Sequence, residues 1–170
     1  FNNYSYGNIR DDADVLTGFS FRFLSQWNGG VSQGMRTGND KGVFPDNVMR
    51  TSFHNYNAGN HVIQFEGLNP AKRYSIGFLT NVNTGAVSQV TFTNGTQSVV
   101  IDGRYNSTTL ANLNGLIPNA SGIIQVTISK AAANIILCLN GLVIREYDPA
   151  DPVIRPADLF AETLLQTDRI

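Results

Sequence analysis

From residue 19 onward apolar and polar side chains alternate with a period of two, and this alternation constrains the fold more than any other feature. "FSFRFL" (19–24) puts Phe19, Phe21 and Phe23 on one face, and "RYSIGFL" (73–79) continues the period with mostly apolar partners. Both read as half-buried strands. Similar runs, rich in Val, Ile, Thr and Phe, occupy Val48 to Phe53, Val62 to Phe65, Val87 to Phe92, Ser98 to Ile101, Ile123 to Ile128, Ile135 to Leu139 and Leu142 to Tyr147. That makes about nine strands separated by turn signals. "NG" at 94–95 and 140–141 suits a tight turn, and "NPAKR" (69–73) and "IPNASG" (117–122) place proline near a turn start. No stretch before residue 156 holds helical periodicity, and parallel strands would need crossover helices. The expected fold is all-β, an antiparallel β-sandwich.

A chain of 170 residues is expected to form one compact domain, spanning 1–147. The end differs in composition. "DPADPVIRP" (148–156) has three prolines in nine residues and reads as a linker. The following "ADLFAETLLQTDRI" carries Leu159, Phe160, Leu164 and Ile170 near one side, as a short docked helix or a tail that folds against a neighbour would.

Charge and motifs exclude several function classes. Charged residues make up 15% of the chain and the net charge is −1, so there is no basic field for nucleic acid. No apolar run reaches the length of a membrane span, and no signal peptide opens the sequence. The start at Phe1 favours a mature form or an excised module. The single cysteine, Cys138, sits in an apolar strand and reads as core. His54 and His61 lack the spacing of a zinc motif, and no GxSxG elbow, P-loop or dinucleotide fingerprint occurs. No enzyme is expected. Asp11, Asp12 and Asp14 cluster near the start, where they form a solvated turn or contribute to a structural calcium site; no other cofactor is expected. Four Asn-x-Ser/Thr sequons, at Asn3, Asn94, Asn106 and Asn119, mark surface loops.

Four landmarks occur in order across residues 8–147: "GVFPD" (42–46), Leu68 with Pro70, Lys72 and Tyr74, Pro118 with Gly122, and "LNGLVI" (139–144). As a set they resemble the galactose-binding-like jelly-roll domains of secreted Bacteroidetes surface proteins. "AETLLQTDRI" is similar to the segment before a type IX secretion sorting domain. The resemblance implies a jelly-roll sandwich at the cell surface, a module of a larger exported protein that binds a polysaccharide without catalysis or serves as an adhesive spacer. Its partners would be a glycan and neighbouring domains.

A sugar site needs an aromatic ring for the apolar face of a pyranose and amide, carboxylate or guanidinium groups for its hydroxyls. The loop "SQWNGGVSQGMRTGND" offers Trp27, Asn28, Arg36, Asn39 and Asp40, with Gln33 beside them, and His54, Asn55 and Tyr56 form a second polar-aromatic cluster. The candidate ligand-binding residues are therefore Trp27, Asn28, Arg36, Asn39, Asp40, His54 and Tyr56. For Trp27 two readings stay open, a ligand platform or a plug at the end of the core. For Tyr105, in "GRYNST", the same choice between ligand platform and core arises with less support, and an exposed loop tyrosine is the default reading. Phe44, Pro45 and Asp46 read as an architectural turn whose aspartate caps backbone amides.

Overall fold

The computed structural model describes residues 4–57, 59–132 and 135–150. The tail, read as a docked helix or a segment that folds against a neighbour, and most of the proline-rich linker lie outside the described residues. The chain forms an antiparallel β-sandwich. One layer holds six strands in the order β1 (Ser5–Tyr6), β2 (Ser20–Phe23), β5 (His61–Glu66), β10 (Ile124–Lys130), β7 (Gln89–Asn94) and β8 (Gln97–Asp102). The other layer consists of two three-stranded sheets. They are β12 (Gly141–Tyr147), β6 (Arg73–Leu79) and β9 (Ala111–Leu116), and β11 (Leu137–Leu139), β4 (Ser52–Asn55) and β3 (Gly29–Val31). From β5 the chain passes back and forth between layers, through β6, β7, β9, β10 and β11, as jelly-roll winding requires.

Alternation produces this arrangement because each strand sends every second side chain inward. Ile63 and Phe65 of β5, Val90 and Phe92 of β7, and Val126 and Ile128 of β10 meet Tyr74, Ile76 and Phe78 of β6. The Phe78 and Phe92 rings stack at 4.5 Å, and Phe65 lies 6.3 Å from Phe78. Burying each such side chain contributes about 1.5–3 kcal/mol. Cys138 is buried within β11, and burial pushes its thiol above its ordinary value, in keeping with a core role.

Where the structure departs from the alternation, a local cause is visible. The run expected as a strand from Val48 begins as a single helical turn, α1 (Asp46–Arg50), and only Ser52–Asn55 pairs as β4. Pro45 holds φ at −55°, and its carbonyl accepts from the Val48 and Met49 amides at 3.0 Å. "NG" at 94–95 makes the expected hairpin: Asn94 pairs with Gln97 and Gly95 takes φ 48°. "NG" at 140–141 makes no hairpin. Asn140 instead leads β11 into β12, accepting from the Asn81 amide (2.7 Å) and donating to the Met49 carbonyl (2.7 Å). β9 escapes the pattern because it carries a bulge. Four of its residues, Leu113 to Leu116, span the register that β6 covers with three, Ile76 to Tyr74, with Gly115 at φ 66°.

Candidate functional site

The loops that leave β3, β6 and β8 converge at one end of the sandwich, and backbone hydrogen bonds tie them together. The Asn83 amide donates to Gln33, Val82 to Gly103, Tyr105 to Val82 and Val43 to Ser107, at 2.8–3.0 Å. Asn81, fully buried, holds the 33–38 segment as a neighbouring strand would. Its side chain accepts from the Met35 amide (2.9 Å) and donates to the Met35 carbonyl (2.8 Å). Gly34 passes so close to α1 that a Cβ there would sit 1.8 Å from the Met49 carbonyl oxygen.

Between these loops lies an open cleft of about 840 Å³, lined in part by Ser32, Arg36, Thr37, Arg50, Asn83 and Tyr105, with Asp46 at its wall. This volume is within the range of small-ligand clefts. Tyr105 is 52% exposed and its backbone is left-handed, at φ 47°, a conformation that a bulky residue rarely adopts. Arg36 and Arg50 are also exposed. Asp46 does what its turn suggested: its carboxylate accepts from the Thr37 amide (2.7 Å), the Thr37 hydroxyl (2.8 Å) and the Gly38 amide (2.7 Å). Burial works against its charge, yet these donors outweigh burial and hold the carboxyl below its ordinary value.

The expected ligand residues do not form one site. Trp27 has no exposed surface; its ring packs against Phe23 at 5.0 Å and His61 at 5.4 Å. The platform reading is thereby corrected, because the ring closes the end of the core. Asn28, His54 and Tyr56 do come together: Asn28 Oδ1 accepts from the Tyr56 amide (2.8 Å), and the His54 and Tyr56 rings meet edge to face at 5.0 Å. They lie at the Gly29–His54 end of the β3–β4 ladder, while Arg36 lies beyond its Val31–Ser52 end. These ends are separated by about 7–10 Å of strand, so the two clusters meet through Asn28 while Arg36 stays apart from Tyr56 and His54. Asn39 and Asp40 do not line the cleft. Asn39 Oδ1 accepts from the Lys41 amide and Asp40 Oδ1 from the Asp46 amide, so both brace their own loop.

Arg50 and Asn83 are among the cleft residues that sequence reasoning missed, and Tyr105 was weighed as a platform but left as an exposed loop tyrosine. The signal at Tyr105 was present but weak, a tyrosine inside "DGRYNS", where Gly and Asn mark a tight turn. A further recess of about 430 Å³ on the six-stranded layer, with Gln64, Asn94, Asn119 and Gln125 in its lining, contains no aromatic ring. Its amides are engaged, Gln125 donating to Gln64 and Asn94 to the Gln125 carbonyl, both at 2.7 Å.

At the aspartate cluster, Asp11 Oδ1 accepts from the Ala13 and Val15 amides and Asp14 pairs with Arg10 at 3.5 Å. Among the described residues no group of three or more His, Cys, Asp or Glu side chains converges in a metal-binding arrangement, and no helix is long and apolar enough to cross a membrane.

No family model matches the chain, and no curated protein matches it. Among solved structures it is similar to an arabinose-bound MgGH51 α-L-arabinofuranosidase, at 13% identity and a TM-score of 0.34. The likeness covers 88% of this chain and 25% of that one, so the chain spans about a quarter of that protein's length. It is too loose to carry a functional argument.

Proposed function

We propose that the chain is a non-catalytic carbohydrate-binding module that holds a polysaccharide in the Tyr105 cleft. The observation that carries the reading is Tyr105 itself, an exposed ring kept in a left-handed conformation at a cleft whose lining includes the hydrogen-bonding side chains of Ser32, Arg36, Arg50 and Asn83. Such a conformation costs about 1–3 kcal/mol and persists only where the surroundings enforce it, which is common at ligand sites. The ring suits the C–H face of a sugar, and Arg36, Arg50, Asn83 and Ser32 suit its hydroxyls. Support for a non-catalytic role comes from Asp46, the one carboxylate among the described residues that line the cleft, whose oxygens are occupied by loop amides and the Thr37 hydroxyl. Glycoside hydrolysis generally requires a pair of free carboxyl groups.

Placement in a secreted or cell-surface protein with neighbouring domains, and the link to type IX secretion, rest on the sequence resemblance. A spacer role is the second reading, favoured by the burial of Trp27 and the self-bracing of Asn39 and Asp40. Affinity gels cast with neutral and acidic polysaccharides separate the two. Binding predicts retardation of the wild type by at least one polymer, lost in Tyr105→Ala and kept in Tyr56→Ala. A spacer predicts no retardation in any gel.

A further inference from the structure

We infer that the ligand of the Tyr105 cleft carries carboxylate groups, making it a uronate polymer rather than a neutral glycan. The inference rests on the sugar-binding reading of this cleft and adds the chemical class. Arg10, Arg22 and Arg104 are ion-paired, Arg73 donates to the Lys72 carbonyl and Arg145 also interacts with a neighbour. Arg36 and Arg50 are the two described arginines whose side chains have no such partner among the described residues, and both line the same cleft. Asp46 lines the same cleft and offsets one of the two guanidinium charges, leaving one net positive charge among these side chains, while its own oxygens are engaged by the Thr37 and Gly38 donors.

With a net charge of −1 the chain carries no general positive field, so the cleft's charge is local. A guanidinium presents a planar fork of N–H donors that matches a carboxylate in two parallel hydrogen bonds, a fit that a lone hydroxyl does not fill. Beside an exposed tyrosine ring, that pairing selects a pyranose whose ring substituent is ionised. Thr37 adds no competing acceptor charge, and its hydroxyl is already committed to Asp46.

The test compares affinity for polygalacturonate, alginate, methyl-esterified polygalacturonate and neutral galactan, using the full chain and the Arg36→Gln, Arg50→Gln and Tyr105→Ala variants. Both arginines are exposed, and circular dichroism confirms that each variant is folded. The expected result is binding to a uronate polymer that falls about tenfold or more in either arginine variant. It also weakens in about 0.5 M NaCl and on methyl esterification, which removes the charge and keeps the sugar. Equal binding to the esterified or neutral polymers, unchanged in the arginine variants yet lost in Tyr105→Ala, would overturn the uronate assignment and leave the sugar site standing. Absence of binding to every polymer would overturn both.

Discussion

Trp27 and Tyr105 divide between them the two roles that a single loop aromatic can take. Trp27 sits among Phe23, Phe53 and His61 with no exposed surface, so Trp27→Ala is expected to lower stability by about 3–5 kcal/mol in urea denaturation. Tyr105 is expected to do the opposite. Replacing it by glycine relieves the left-handed backbone, so Tyr105→Gly should leave stability unchanged or raise it by up to about 1 kcal/mol while abolishing glycan binding. A stability loss of the Trp27 size would show that the ring supports the core. His61 is expected to make the protein's stability depend on pH. Burial, chiefly, and the nearby Lys130 ammonium hold its pKa below the ordinary 6.5, with the Gln26 carbonyl opposing them. Ser25, Asn55 and Trp27 complete its surroundings. Because the folded state resists protonation, the unfolded chain binds more protons below about pH 6.5. The contribution to stability is therefore full above that pH and lost as pH falls toward the folded pKa. His61→Gln is expected to flatten that decline, seen in urea midpoints between about pH 7.5 and pH 5.

At the scale of elements, strands were legible wherever alternation kept its phase. β2, β5, β6, β7, β8, β10 and β12 fall within two residues of the runs read from the sequence. β9 was illegible because its buried residues, Ala111, Leu113 and Leu116, change phase across the Gly115 bulge. β3 was illegible because "GGV" has no pattern to read, and Ser52–Asn55 of β4 supplies its register. The 33–38 segment is placed by contacts remote in sequence, the buried Asn81 amide and the close approach of Gly34 to Met49. Gly34→Ala would force backbone atoms apart, so it is expected to destabilise the fold by about 1–3 kcal/mol or more and to weaken glycan binding. Gly7→Ala, with open space around the added Cβ, is the control and should do neither. Denaturation and affinity electrophoresis on the same samples check both outcomes.

For the whole molecule, the strands form the sandwich and the proposed glycan cleft lies among the loops at one end, a division common in β-sandwich proteins. The layers were readable because their signal is local and repeated. The cleft was not, since it is assembled from residues 32–38, 46–50, 83 and 105, which no short window of sequence contains. Arg36 was found from its place in a polar loop, whereas Arg50 was hidden inside a run read as strand, and α1 turns it toward the cleft. On the proposed reading, Tyr105 and the loops beside it hold a glycan. Amide chemical-shift mapping during titration with polygalacturonate, and with galactan for the neutral case, tests it most directly. Saturable shifts concentrated at residues 32–38, at Asn83 and at Tyr105 are expected. Shifts centred on Asn28, His54 and Tyr56, or no shifts with any glycan, would contradict it.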